Sequence, residues 1–331
     1  MRVLVAGGAG YIGSHTCKAL AEAGHVPIVY DNLHTGHAWA VKWGPLERGD
    51  LNDAATLGAA MKRHRPEAVI NFAALAYVGE STREPTMYYR VNVGGMVGLL
   101  EAMRANDVAR IVFSSSCATY GVPVRVPIVE DMPQAPINPY GNTKLVGEML
   151  LRDACAAHGV AAVALRYFNA AGADAAGEAG EEHDPETHLI PLVLQAAAGQ
   201  RPDIAVFGTD YDTPDGTCIR DYIHVTDLAS AHVAALSACA PGRFQAFNLG
   251  TGIGASINEI IALSRRVTGK PIAAKAAPRR AGDPPRLVAD PALAGRTLGW
   301  RAAHSDPENI IRTAWQWMTV YRQRALPGGK G

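Results

Sequence analysis

Apolar residues along this 331-residue chain alternate between two periods. Residues 2–6 form a short run of branched side chains, as in a strand buried on both faces. Residues 11–23 switch to helical spacing, with Ile12, Ala19 and Ala23 on one stripe. Strand-like runs recur at 26–30, 68–72, 110–113 and 160–165, the last three each preceded by a helix-length segment. Residues 84–106 and 139–158 read as two of the helices. Strands separated by helices imply right-handed crossovers, and so a doubly wound parallel α/β sheet covered on both faces. After about Tyr167 the texture changes: 169–184 is rich in Gly, Ala and acidic residues and reads as a long loop, and later strands are shorter. The expected division is a main domain over 1–168, joined again by segments around 217–250. A smaller C-terminal α/β lobe would cover 169–325, and 326–331 would be a flexible tail. No linker separates the two parts, so a ligand-binding cleft is expected between them.

Composition narrows the field. Hydrophobic residues make up 48% of the chain, and the 31 basic side chains balance the 31 acidic ones. No global field exists to draw nucleic acid or anionic lipid, and no uncharged apolar run approaches the ~20 residues of a membrane span. The five cysteines stand singly, so neither disulfides nor a metal centre is expected. Residues 1–8 lack the apolar core of a signal peptide. A cytoplasmic protein is the expectation.

The first strand runs into Gly7-Gly8-Ala9-Gly10-Tyr11-Ile12-Gly13. A tight strand-to-helix turn needs glycine where φ is positive, and a pyrophosphate needs backbone free of Cβ atoms. The second strand ends near Asp31, eighteen residues past Gly13, where a carboxylate can accept from adenosine ribose hydroxyls and repels a 2′-phosphate. NAD is therefore favoured over NADP. Tyr140 and Lys144 lie four apart, on one helix face if Pro139 opens that helix. A phenol ionises near pH ~10, and a neighbouring ammonium with a positive nicotinamide ring brings it into working range. Ser114, Ser115 and Ser116 follow the strand at 110–113, at the end facing such a cofactor.

In their order, these motifs resemble the extended short-chain dehydrogenase/reductase family, and within it the UDP-glucose (UDP-galactose) 4-epimerases. Further matching stretches are Asn71-Phe72-Ala73-Ala74, Val78-Gly79-Glu80-Ser81, Leu165-Arg166-Tyr167-Phe168-Asn169, Arg220-Asp221-Tyr222-Ile223-His224 and Arg279-Arg280-Ala281-Gly282-Asp283. The resemblance implies a Rossmann-like domain with a UDP-sugar lobe. It assigns Ser116, Tyr140 and Lys144 to catalysis. Its NAD positions are Gly7, Gly10, Tyr11, Ile12, Gly13, Asp31, Asn32, Asp50, Leu51, Phe72, Ala73, Ala74, Asn92, Ser114, Tyr140, Lys144 and Tyr167. Its UDP-sugar positions are Ser116, Tyr140, Asn169, His188, Leu189, Phe207, Arg220, Tyr222, Arg280 and Asp283. It also implies a homodimer, in which the helices at 84–106 and 139–158 pair across a two-fold axis.

The chain departs from the family pattern in places. Ala76 replaces a frequent lysine, and His188 a frequent asparagine. Cys117-Ala118 stands where a dehydratase would need an acid/base pair. Leu287 occupies a position where a large residue excludes N-acetylated sugars and a small one admits them. The implied reaction is 4-epimerisation of UDP-glucose and UDP-galactose by transient oxidation at C4. A UDP-xylose/UDP-arabinose 4-epimerase is the nearest alternative; a sugar-nucleotide 4,6-dehydratase and a non-catalytic NAD-binding protein are more distant ones.

Overall fold

The computed structural model describes residues 1–280 and 283–325. The tail at 326–331, and Ala281 and Gly282 of the last motif, lie outside the described residues. The first part of the chain winds β1 (Arg2–Ala6), α1 (Tyr11–Glu22), β2 (Val26–Asp31), β3 (Leu46–Arg48), α2 (Ala54–His64) and β4 (Ala68–Asn71). Next come α3 (Val78–Arg83), α4 (Pro85–Tyr88), a π-helical stretch at Tyr89–Gly94, α5 (Gly95–Ala105), β5 (Arg110–Ser114), α6 (Pro139–His158) and β6 (Ala161–Tyr167). These six strands join a later one in a seven-stranded sheet in which every pairing is parallel.

The second part holds β7 (Asn169–Ala171), α7 (Leu189–Ala197), β8 (Ile204–Phe207), β9 (Ile219–Arg220), β10 (Tyr222–His224) and α8 (Val225–Ala238). It continues through β11 (Phe244–Leu249), β12 (Ala255–Ser256), α9 (Ile257–Thr268), β13 (Ala274–Ala277), β14 (Arg286–Leu287), α10 (Ala292–Leu298), α11 (Pro307–Gln316) and α12 (Arg322–Ala325). Strand β11 returns to the main sheet beside β6, giving the order β11-β6-β5-β4-β1-β2-β3. The remaining strands form three small sheets, β10-β7, β12-β9-β14 and β13-β8.

Cores lie on both faces of the large sheet. Val3, Val5, Val29, Ile70 and Val163 meet Leu20 of α1 and Leu228 of α8 on one face. Leu4, Ile28, Val69, Ile111 and Ala162 meet Leu57 of α2, Leu99 of α5 and Leu151 of α6 on the other. A strand buried on both faces is apolar at most positions, which is why the runs carry no alternation.

Three expectations change. The buried stripe of α1 is Gly13, Thr16, Cys17 and Leu20, while Ala23 is exposed beyond the helix end. Close contact of Gly13 with the preceding turn sets the rotation of this helix. The span 169–184 is not wholly loop, because Asn169–Ala171 pairs with Tyr222–His224, an interaction between residues some fifty apart that local composition cannot register. The expected helix at 84–106 begins at Pro85 and widens into a π-helical stretch at Tyr89–Gly94, where Asn92 is diverted into bonds outside the helix.

Candidate active site

Because the main sheet is parallel, the C-terminal ends of its strands share one edge, and most of the candidate cofactor residues follow those ends. The turn after β1 depends on missing side chains. Gly7 has a φ of 76°, and a Cβ on it would meet the Ala73 nitrogen at 2.6 Å; a Cβ on Gly13 would meet the Gly7 carbonyl oxygen at 2.2 Å. The turn, the start of α1 and the segment after β4 touch only because these residues are glycine. Asp31, at the end of β2, clamps the turn from outside, its Oδ2 accepting from the Ala9 N–H at 2.9 Å and its Oδ1 from the Leu33 N–H at 2.8 Å. Burial raises its pKa, and these two N–H bonds oppose the rise. Gly10 caps α1 with no side-chain bond to the helix N–H groups, and no acidic residue lies in the first turn. Those N–H groups and the positive helix end are left for an anion, which fits the pyrophosphate of a dinucleotide.

Asn32 Nδ2 donates to Asp50 Oδ2 at 2.8 Å, so the residues after β2 and β3 form one rim, with Leu51 buried behind it. The Phe72 ring lies 4.5 Å from that of His232, and Ala73 and Ala74 after it are half-buried. Asn92 Oδ1 accepts from the Leu75 N–H, and its Nδ2 donates to the Leu75 carbonyl and to Thr143 Oγ1 at 2.9 Å. That amide ties the segment after β4 to α6. Tyr11 donates its hydroxyl to the Gly172 carbonyl at 2.6 Å, and Ile12 packs on the core.

Helix α6 opens at Pro139, with Asn138 accepting from the Gly141 N–H, and puts Tyr140 and Lys144 one turn apart, both buried. Lys144 Nζ donates to the Ser114 carbonyl at 2.7 Å and lies 5.7 Å from the Tyr140 ring centroid. Ser114 Oγ and the Tyr167 hydroxyl are 2.6 Å apart. Ser116 is buried and caps the turn after β5, accepting from the Ala118 N–H. Burial drives the Tyr140 phenol far above its ordinary pKa; Tyr167 adds to this, and a bond from Ser116 opposes it. Burial also lowers Lys144 to about 7. In the protein alone the lysine does not offset the burial of the phenol, so a further positive charge must arrive with a ligand.

The smaller sheets gather part of the expected substrate set. Arg220 on β9 is ion-paired with Asp283 and donates to the Ile219 carbonyl. Arg280 lies 4.0 Å above the Phe207 ring, and its carbonyl accepts from the Asp283 N–H. Leu287 sits opposite Arg220 in the sheet and packs with Cys117 against Tyr120, Ile128 and Phe168. Asn169 exposes its side chain while its N–H donates to the Asp221 carbonyl. Tyr222 and Leu189 instead turn their side chains into the core of the lobe.

Sequence reasoning missed three polar groups. The Glu148 carboxylate, wholly buried on α6, accepts from Ser115 Oγ at 2.6 Å and pairs with Arg166 of β6 at 2.7 Å. Its signal was a single acid four residues after Lys144 on a buried helix face. Asp221 Oδ1 accepts from the Thr251 N–H and hydroxyl, and Oδ2 from the Ala289 N–H. The third is a knot of Glu181, His183 and Glu186 around His188, which the resemblance had assigned to the UDP-sugar by itself. Burial disfavours charge there, yet His188 and His183 hold the Glu181 carboxyl down to about 2.

Residues 3–250 match the NAD dependent epimerase/dehydratase family. The UDP-glucose 4-epimerase of Rhizobium meliloti (strain 1021) is 51% identical over 316 residues, covering 95% of this chain and 96% of its own. The crystal structure of UDP-glucose 4-epimerase from Brucella ovis in complex with NAD superposes with a TM-score of 0.92 at 57% identity, over 95% of this chain and 97% of that one. A Stenotrophomonas maltophila UDP-glucose 4-epimerase with bound NAD and formylated UDP-arabinopyranose gives a TM-score of 0.93 at 41% identity, over 98% and 99%. With matches of this extent on the fold and on the glycine turn, the chain belongs to the NAD dependent epimerase/dehydratase family.

Proposed function

We propose that this chain is an NAD-dependent UDP-sugar 4-epimerase that interconverts UDP-glucose and UDP-galactose. The observation that carries the reading is the convergence of Ser116, Tyr140 and Lys144 on the same sheet edge as an uncapped glycine turn clamped by Asp31. NAD supplies, when bound, a positive ring that takes up and returns the hydride of the sugar C4. The glycine turn with Tyr11 and Ile12 would hold its pyrophosphate, Asp31, Asn32, Asp50 and Leu51 its adenosine half, and Phe72, Ala73, Ala74, Asn92, Ser114 and Tyr167 the rest.

Tyr140 takes the proton of the sugar 4-hydroxyl as the C4–H bond breaks and gives it back on the return. Lys144 stabilises the phenolate, and Ser116 donates to the 4-oxygen and orders the phenol. Arg220 and Arg280 serve the diphosphate by charge-assisted bonds, with Asp283 paired to Arg220 until then. Asn169, His188 and Phe207 complete the UDP-sugar side, with Leu189 and Tyr222 supporting it from the core of the lobe. The 4-keto sugar must turn over between the two hydride steps, so its contacts stay few while the UDP half is gripped. Leu287 faces the cluster nearest Cys117, where an added acetamido group would lose hydrogen bonds to water, so UDP-glucose and UDP-galactose should outperform their N-acetylated counterparts.

The test is turnover of UDP-galactose by wild type and by Tyr140→Phe. The variant should fold and keep NAD yet retain less than about a tenth of wild-type kcat, a barrier rise above ~1.4 kcal/mol. Greater retention would remove Tyr140 from the role of base.

The working unit is read as a homodimer. Val97 of α5, Met149 of α6 and Tyr89 of the intervening π-helical stretch expose apolar surface on neighbouring helices, outside the faces that cover the sheet.

A further inference from the structure

Glu181, His183, Glu186 and His188 bring two carboxylates and two imidazoles to one point between the glycine turn and α7. One ligand atom from each lies within 4.8 Å of all the others. His183 Nδ1 is 3.2 Å from Glu181 Oε1 and 3.7 Å from Glu186 Oε2; His188 Nδ1 touches Glu181 Oε1 and is 3.9 Å from Glu186 Oε1. Donors bound to zinc at ~2.0–2.2 Å in a tetrahedron stand about 3.3–3.6 Å apart, a spacing that the 3.2, 3.7 and 3.9 Å separations bracket, while His188 Nδ1 and Glu181 Oε1 lie closer as a hydrogen-bonded pair that a metal would have to part.

Two further observations point to a cation. The Glu181 and Glu186 side chains are only 6% and 8% exposed, and two carboxylates removed from water side by side need positive charge between them. His183 Nδ1 is itself buried without a hydrogen-bond partner among the described residues, although it faces both carboxylates. It stands 3.2 Å from one carboxylate oxygen and 3.7 Å from the other, between the two as a ligand of one shared ion would be.

We propose that these four residues bind one divalent transition metal, zinc being the best match to a donor set of two imidazole nitrogens and two carboxylate oxygens. The ion would be structural, held by His188 through Nδ1 alone, so that Nε2 on the exposed edge stays available to the UDP-sugar. Tyr11 of the glycine turn and Tyr77 each lie edge-on to His183 at 6.2 Å, and Trp317 Nε1 donates to the Glu181 carbonyl. A bound metal would thus pin the loop before α7 between the dinucleotide turn and the C-terminal helices. The exposed edge of His188 is its route of entry. The sequence expectation of no metal weighed only cysteine spacing, and this site uses none.

The test is calorimetric titration of the EDTA-treated, dialysed full-length protein with zinc chloride, beside His183→Ala and the nearly isosteric Glu186→Gln. Wild type should bind one zinc per chain. Each variant should bind at least about a hundredfold more weakly, beyond the ten- to hundredfold typical of losing a mere outer-shell partner. Circular dichroism of both variants separates ligand loss from misfolding. Wild-type binding that is absent, or no tighter than in a folded Glu186→Gln variant, would overturn the proposal and leave the cluster an ion-paired network of protonated histidines.

Discussion

Lys144 is kept where its charge is expensive. Burial lowers its pKa to about 7, whereas an unfolded chain keeps a lysine protonated to near pH ~10.4. Between those values the unfolded state binds the extra proton, so this group destabilises the ligand-free fold fully below about pH 7 and less as pH rises. Lys144→Met, uncharged and of similar length, should therefore melt above wild type at neutral pH, with a lead that shrinks towards about pH 10. Paired thermal melts of the NAD-free proteins across that range check this, and a lead independent of pH would count against the buried-charge account. The same variant should lose most of its turnover, because the cost is accepted for a cation beside Tyr140.

Helix α6 and strand β6 are joined by a buried ion pair, and the join holds the serine end of β5. Glu148 and Arg166 side chains are 0% and 2% exposed, and Glu148 also accepts from Ser115, next to Ser116. Removing one partner leaves an unpaired buried charge, typically about 3–5 kcal/mol. Arg166→Met should thus lower unfolding free energy in urea by that order, and Glu148→Met with Arg166→Met should recover much of it. A single variant as stable as wild type would show that the pair holds nothing. The α6 helix itself was readable residue for residue over 139–158, since Pro139 opens it and Gly159 closes it in a left-handed conformation. The partner strand of its polar face was not, because Arg166 sits in an otherwise apolar run.

For the whole molecule, the open question is how the face of α5 and α6 is covered. Met96, Leu99 and Met103 lie under the sheet, whereas Val97 and Met149 point away from it. Light scattering at micromolar concentration should give about twice the 35.0 kDa chain mass, and Met149→Asp should shift it towards one. A wild-type monomer would refute the dimer. Among the described residues, no helix is long and apolar enough to cross a membrane.

Local chemistry sufficed for much of this protein. Strands buried on both faces had to be continuous apolar runs, and a turn that admits a pyrophosphate had to be glycine at Gly7 and Gly13, so both showed in the order of residues alone. The Tyr140–Lys144 spacing is likewise a property of one helix. Contacts between distant segments left no such trace. Nothing near Asn169 announces its pairing with Tyr222, nothing near Arg220 announces Asp283, and Glu148 finds Arg166 only once α6 lies on β6. The four ligands of the proposed metal site lie within eight residues, and their loop is packed by Tyr11, Tyr77 and Trp317 from three distant parts of the chain. A periodicity records which side of an element is apolar, and the identity of the partner is settled when elements close on one another.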